Sequence, residues 1–167
     1  MNSLTIRKAI KKDGKTLLSL VNALADFEKL KRPTPAAQKR LLIGAFGKRK
    51  RFDTLLAEVS GKGVGYAICF ETYSSFLALP TLYLEDIFVL PEYRGRKVGL
   101  QLFKECVAEA ERRGCGRMEW MVLDWNVTAI RFYGNLDAHR LSEWIPYRLE
   151  RKQFRKIPGA RRSSTRS

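Results

Sequence analysis

The sequence has few of the residues that build metal centres or disulfide frameworks. Its 167 residues include one histidine, His139, and three cysteines, Cys69, Cys106 and Cys115. The cysteines are odd in number and lack the spacing of zinc ligands. We therefore expect no metal, and we expect reduced thiols in a cytoplasmic protein.

Long apolar runs and acidic residues are also scarce. No apolar run approaches the roughly 20 residues that cross a bilayer, and the residues after Met1 alternate like a strand, so we expect neither a signal peptide nor a membrane partner. The chain has 17 Asp and Glu against 32 Lys and Arg, a formal net charge of +15. That charge attracts polyanions without specificity, so contact with nucleic acid is expected to be at most non-specific. A small phosphate-rich ligand would be attracted by the same field.

Apolar periodicity predicts the order of strands and helices. Strands are expected at about 3–9, 55–59, 64–72, 82–89 and 117–123, with one or two more within 141–149. Helices are expected after an Asp13 cap and over about 35–46, 97–113 and 128–135.

This order predicts an α/β fold with a single mixed β-sheet flanked by about four helices. The 45% hydrophobic fraction and the chain length suit one domain with one core, which we place at residues 1–157. The basic segment 158–167 is expected to be a disordered tail.

The segment 83–103 is the strongest local signal of function. It reads as a strand that enters a turn containing Gly95 and Gly99 and then opens a helix. Such a turn points backbone N–H groups and the positive end of a helix dipole at one spot, which suits a phosphate. Glycine also occurs in such turns for steric reasons, so the turn alone leaves a purely structural role open.

Four motifs follow one another along the chain. They are Tyr-Leu-Glu-Asp-Ile-Phe-Val at 83–89, Arg-Gly-Arg-Lys-Val-Gly at 94–99, Asp-Trp-Asn at 124–126 and Phe-Tyr at 132–133. In this order they resemble the GNAT superfamily of acetyl-CoA-dependent N-acetyltransferases, and most closely its spermidine/spermine and thialysine branch. The likeness extends from the first strand to about residue 150.

The resemblance implies a fold, a co-substrate and a reaction. The fold would be the GNAT fold, in which the mixed sheet is splayed. Acetyl-CoA would donate its acetyl group directly to a primary amine in a ternary complex, without a metal. The acceptor would be a small amine such as a polyamine, a diamine or a lysine-like compound. Related folds are often dimers, and we expect a homodimer.

The resemblance also assigns the cofactor-binding residues. The pantetheine arm would pair like an extra strand with the backbone of Ile87, Phe88 and Val89, and Asn126 and Ala129 would contact its other side. The pyrophosphate would lie on the turn, which comprises Arg94, Gly95, Arg96, Lys97, Val98, Gly99 and Leu100.

Two residues depart from the family pattern. Lys97 and Asp137 stand where the family usually has glycine. We expect Lys97 to adopt an amide-donating conformation without positive φ, and its ammonium could add a phosphate contact. We expect Asp137 to adopt the left-handed conformation, which Asp tolerates better than most residues.

Two residues match the catalytic positions of the family. Tyr133 matches the general acid that protonates the leaving thiolate, and Glu85 matches the acidic residue that deprotonates the amine. Tyr133 could instead be a packed helix aromatic, and Glu85 could instead form a cross-strand salt bridge. Asp86 should point to the opposite face of the strand as a structural partner.

The acceptor site is expected to include Phe27, Glu28, Glu85 and Tyr147. An acidic residue that the polyamine branch has just before that last aromatic is absent here, since Ile145 and Pro146 precede Tyr147. The net charge would also repel a polycation unless Glu28, Glu85 and Glu143 form a local negative groove. Two other functions stay open: a basic module that binds nucleic acid or ribosomes, and a protein N-acetyltransferase.

Overall fold

The computed structural model describes residues 3–158. The expected tail therefore lies outside the described residues, apart from Pro158. The chain divides into two compact units, residues 1–121 and residues 122–167. Each unit is described by itself, and a single domain over 1–157 stays a prediction.

The first unit contains a five-stranded sheet. Its strands are β1 (Leu4–Lys8), β2 (Asp53–Val59), β3 (Lys62–Ser74), β4 (Leu79–Val89) and β5 (Arg117–Trp120), and they lie side by side in chain order. The first four strands pair antiparallel, and β4 pairs parallel with β5. The prediction of a single mixed sheet is confirmed.

Four of the five α-helices within residues 3–158 fall close to the predicted positions, and the short last one was not predicted. The first unit contains α1 (Gly14–Phe27), α2 (Pro35–Phe46) and α3 (Val98–Arg112), and the second contains α4 (Val127–Gly134) and the short α5 (Arg151–Phe154). Short 3₁₀ helices occupy Lys11–Asp13 and Pro91–Tyr93. The start of α2 is fixed by local chemistry, because Thr34 accepts a hydrogen bond from the Ala37 N–H at 3.3 Å and proline follows it.

Apolar side chains cover both faces of the sheet. On one face, Leu17 and Leu20 of α1 pack with Leu56, Tyr66 and Phe88 of the strands. The buried residues of α3 are Val98, Leu102, Phe103, Cys106, Glu109 and Ala110. Val107 of the same helix is 37% exposed, whereas its neighbour Cys106 lies in the core. Each large side chain buried in this way stabilises the fold by about 1.5–3 kcal/mol.

The parallel pairing of β4 and β5 is short, and this opens the sheet. It runs only from Thr81 opposite Arg117 to Leu84 opposite Trp120, because β5 ends there, three residues before the expected end. On its other edge β4 stays paired with β3 as far as Val89. Residues 85–89 therefore have a partner strand on one side and an opening on the other, which is the expected splay.

One sequence expectation about strands is wrong. Residues 141–149 were expected to form one or two strands, but they form no strand in the second unit. Their apolar side chains stay in solvent: Trp144, Ile145 and Tyr147 are 71%, 73% and 93% exposed. Pro146 lies between them and has no N–H for a sheet ladder.

Candidate active site

The turn between β4 and α3 is built on two residues with positive φ. Gly95 has φ 74°, and Lys97, directly before α3, has φ 62°. The expectation that Lys97 would avoid positive φ is wrong, because the chain enters the first turn of α3 from the left-handed region. A non-glycine residue in the left-handed region costs roughly 1–2 kcal/mol, a cost that glycine does not have. Asp137, in the second unit, has φ 57°, as expected.

Gly99 does not share the conformational requirement of Gly95. A Cβ added at Gly99 would meet only the Val89 side chain, at 3.8 Å, which is an ordinary contact. The protein itself therefore does not require glycine at position 99. The conformational requirement of the turn lies at Gly95 and Lys97.

The open edge of β4 presents backbone groups in a fixed alternation. The Leu90 N–H donates to the Val64 carbonyl at 2.9 Å, and the register places Phe88 opposite Tyr66. Because hydrogen-bonded pairs alternate along an antiparallel ladder, Phe88 directs its N–H and C=O toward β3. Ile87 and Val89 direct theirs toward the opening. Ile87 thus presents both its N–H and its C=O to the opening, and Val89 presents its N–H, because the Val89 carbonyl accepts a hydrogen bond from Arg94.

Arg94 folds back from the turn over β4 and the end of α1. Its Nε donates to the Val89 carbonyl at 2.9 Å. Its guanidinium carbon lies 4.4 Å from the ring centroid of Phe27 and 5.5 Å from that of Phe88. Burial against these rings lowers the pKa of Arg94. The residue expected to contact phosphate therefore ties the turn to α1 through its side chain.

Glu85 lies in a β-bulge where the sheet opens. Ile68 pairs with Asp86 and Cys69 pairs with Leu84, so Glu85 has no direct partner on β3. Its side chain is exposed, and among residues 3–158 no Lys or Arg forms a salt bridge with it. The alternative role as a cross-strand ion pair is therefore not realised. A bulge of this kind re-aims side chains and is common beside active sites.

Asp86 is held by a phenol that the sequence did not single out. The Tyr66 hydroxyl donates to the Asp86 carboxylate at 3.2 Å, and Tyr66 is fully buried. Burial is the main cause that raises the pKa of Asp86 to about 6, with smaller contributions from the charges of Glu85 and Glu28, while the hydrogen bond from Tyr66 opposes the rise. Burial and the same carboxylates raise the pKa of Tyr66 strongly.

The two acidic residues differ in their surroundings. Glu85 is exposed, whereas Asp86 bonds Tyr66, which lies in the core cluster with Phe88, and the charges of both carboxylates raise the pKa of Tyr66. The placement of Asp86 on the face opposite Glu85 stays a prediction. Glu28, just after α1, also acts on the Tyr66 hydroxyl, and burial raises its own pKa. The only sign of this acidic cluster in the sequence is the pair Glu85 and Asp86 within an otherwise apolar strand.

Phe27 lies close to Phe88, which in turn lies close to Tyr66. Its ring centroid lies 6.1 Å from that of Phe88, and Phe88 lies 6.5 Å from Tyr66. The first unit therefore brings together Phe27, Glu28, Glu85 and Asp86 beside the backbone of 87–89 and the turn 94–100.

The second unit contains the remaining expected site residues. The Asn126 side chain caps α4 by accepting a hydrogen bond from the Ala129 N–H at 3.2 Å, as expected for a helix N-cap. Tyr133 lies in the last turn of α4, and its ring is 5.3 Å from that of Phe132. Tyr147 lies in the non-strand segment and is 93% exposed.

Comparison with known proteins decides the family. A profile of the acetyltransferase (GNAT) family matches residues 18–137. The chain belongs to the GNAT acetyltransferase family. It is 33% identical over 170 residues to a thialysine N-epsilon-acetyltransferase of Mus musculus, with 95% of this chain and 99% of that protein covered. Against an L-ornithine N5-acetyltransferase of Arabidopsis thaliana it is 42% identical over 85 residues, covering 51% of this chain and 37% of that protein.

The fold of this GNAT acetyltransferase agrees with solved structures. An aminoglycoside N-acetyltransferase solved in complex with CoA superposes with a TM-score of 0.74 at 20% identity, covering 89% of this chain and 96% of that one. This likeness confirms the fold, and the relatives confirm that the protein is an acyl-transferring enzyme of the predicted branch.

Residues 3–158 contain neither a membrane-spanning helix nor a cluster of metal-ligating side chains. None of the helices within 3–158 has the length and apolarity to cross a membrane. Over the same range, no three His, Cys, Asp or Glu side chains are grouped so that they could hold a metal ion.

A basic depression of about 380 Å³ lies beside the turn, on the β3 side of β4. Lys62 Nζ and the Arg96 guanidinium carbon lie 5.5 Å and 5.6 Å from the ring centroid of Tyr93. The other lining residues are Val59, Ser60 and Glu92. Two cations thus lie over one aromatic ring beside the turn.

Proposed function

We propose that this GNAT acetyltransferase uses acetyl-CoA and transfers the acetyl group directly to the primary amine of a small molecule, within a ternary complex. The observation that carries the proposal is the opening of the sheet at Glu85. A backbone edge, a helix N-terminus and an acidic residue that could serve as a base lie together there.

The fit to acetyl-CoA rests on this chain's own groups. The N–H and C=O groups of Ile87 and the N–H of Val89 would pair with an amide-bearing arm, as a strand pairs with a sheet edge. The amides of the turn and the N-terminus of α3 would hold the pyrophosphate. When bound, acetyl-CoA supplies an activated acetyl thioester. The Lys97 ammonium adds positive charge to the turn.

Acid–base chemistry would be divided between Glu85 and Tyr133. Glu85 takes the proton from the acceptor ammonium, directly or through water, so that a neutral nitrogen attacks the acetyl carbonyl. The new C–N bond forms as the C–S bond breaks, and the Tyr133 phenol donates its proton to the leaving thiolate. The nitrogen then loses its second proton, which restores the phenol directly or through water. Asn126 and Ala129 would support the cofactor from the second unit.

The acceptor is most consistent with a lysine-like compound. The relatives named above act on thialysine and ornithine, which are amino acids with a terminal amine. Glu28 and Glu85 supply local negative charge despite the overall charge of +15. Ile145 and Pro146, where the polyamine branch has an acidic residue, argue against a polyamine. Phe27 and Tyr147 would contact the carbon chain of the acceptor.

A thiol-release screen tests the proposal. Purified protein is mixed with acetyl-CoA and, separately, with thialysine, ornithine, lysine, spermidine and a lysine peptide. We expect amine-dependent release of free thiol, fastest with the single amino acids. Fastest release with the peptide would favour a protein N-acetyltransferase, and no release with any amine would refute the enzymatic proposal.

We also propose a homodimer located in the cytoplasm. Among residues 3–158 the outer edge of β5 has no partner strand, and an open strand edge is a ready surface for another chain. Light scattering of the purified protein at several concentrations would decide between a dimer and a monomer.

A further inference from the structure

We propose that Tyr66 and Asp86 are a positioning pair for Glu85. The buried Tyr66 phenol anchors the Asp86 carboxylate, and the anchored strand fixes the bulge that aims Glu85. The pair is active when Asp86 is ionised. The inference rests on the proposed acetyl transfer, and it deepens it by naming what controls the acceptor side of the site.

The phenol of the pair is enclosed in the core. Tyr66 is 0% exposed and packs within the core cluster of α1 and the sheet. Its hydroxyl bonds Asp86 at 3.2 Å, on the strand position next to the bulged Glu85. A bulge leaves one residue without a ladder partner, so a side-chain bond beside it limits how that residue is oriented.

Asp86 is surrounded by like charges and is left without a cation. The charges of Glu28, at the end of α1, and of Glu85, on its own strand, both raise its pKa, and the Tyr66 hydroxyl of β3 donates to it. Arg94 comes from the turn, but its guanidinium lies over Phe27 and Phe88. Among the described residues no Lys or Arg forms a salt bridge with Asp86.

The state of this carboxylate therefore changes within the working range of an enzyme. The pKa of Asp86 is raised to about 6, mainly by burial. Above that pH the pair carries a negative charge beside Glu85, which favours an approaching ammonium. Below that pH Asp86 is protonated and neutral, so it is a weaker acceptor for the Tyr66 hydroxyl.

The pH dependence of kcat/KM reads out this change. We expect a plot of log(kcat/KM) against pH for the wild-type enzyme to bend near the Asp86 pKa of about 6. Below the bend, log(kcat/KM) should rise with pH about one unit more steeply than above it. Asp86→Asn should abolish the bend. Tyr66→Phe should move it upward by roughly half to one pH unit, because the lost hydrogen bond favoured the ionised carboxylate. Tyr73→Phe, which removes an exposed hydroxyl of β3, is the matched control and should leave the bend in place.

A titration of the free protein separates this inference from the proposed function. Carbon-13 NMR of the Asp86 carboxyl needs no substrate, and we expect a midpoint of about 6 that rises in Tyr66→Phe. If the wild type transfers acetyl but its bend persists in Asp86→Asn, or if the midpoint does not move in Tyr66→Phe, the pairing is refuted. If acetyl transfer is absent while the titration behaves as expected, the proposed function fails and the pair remains as a structural device.

Discussion

Replacing Asp86 by Asn should stabilise the protein at neutral pH while impairing the enzyme. The pKa of Asp86 rises from 3.8 to about 6 on folding. Since one pH unit of pKa shift corresponds to about 1.4 kcal/mol, the ionised carboxylate destabilises the fold by up to about 3 kcal/mol. Asparagine cannot ionise, and its carbonyl can still accept the Tyr66 hydrogen bond.

The sign of the pH dependence follows from the raised pKa. Between pH 3.8 and about 6 the folded protein holds the proton that the unfolded chain releases. Stability therefore falls as the pH rises through this interval, and the loss is complete above it. The advantage of Asp86→Asn should be largest at neutral pH and should shrink to about 1 kcal/mol near pH 4.5.

Urea denaturation of both proteins at the two pH values measures this difference. Asp137→Asn, a change of the same type in the second unit, is the matched control and should show no comparable gain. An Asp86→Asn protein that is less stable than the wild type at neutral pH, or whose gain does not depend on pH, would refute the assignment of a buried, uncompensated charge.

Further predictions concern the turn, the core and the reaction. Lys97→Gly should raise the free energy of unfolding by about 1 kcal/mol, because glycine removes the cost of positive φ, whereas Lys97→Ala keeps that cost and should bring no such gain in urea denaturation. Glu109 is buried, and its ion pairs with Lys8, Arg112 and Arg113 hold its pKa at about 2 against the penalty of burial. Glu109→Gln should therefore cost about 3 kcal/mol or more, against almost none for the exposed Glu111→Gln, and its cost should diminish as the pH falls from 4.5 toward 2. Tyr133→Phe should lose most turnover while retaining acetyl-CoA binding by calorimetry; unchanged turnover would remove the phenol from the mechanism. Binding to duplex RNA should vanish by moderate salt, and salt-resistant binding would favour the nucleic-acid module instead.

Much of the fold could be predicted because it depends on local patterns. The N-cap and proline that begin α2, and the apolar spacing of α1 and α3, are visible in the sequence, and the structure keeps them. The segment 141–149 looked like a strand because it contains Leu141, Trp144, Ile145, Tyr147 and Leu149. The sequence does not show whether a neighbouring strand exists to pair with it, and here its side chains remain exposed.

The details of the site depend on non-local geometry. A β-bulge is a shift of register between two strands, so the sequence of β4 alone could not show that Glu85 lacks a partner on β3. The role of Tyr66 was hidden for the same reason, since it lies on another strand. Lys97 was misjudged because the left-handed conformation is imposed by the turn, even on a residue that disfavours it.

The most direct test of the account is to identify the product. The protein is incubated with acetyl-CoA carrying an isotopically labelled acetyl group and with thialysine or ornithine, and both the small molecule and the intact protein are examined by mass spectrometry. We predict that the label appears on the terminal amine of the amino acid and that the protein carries no acetyl group at any time point. A labelled protein intermediate would contradict direct transfer, and an unlabelled amine in the presence of bound acetyl-CoA would contradict the assignment of an amine acceptor.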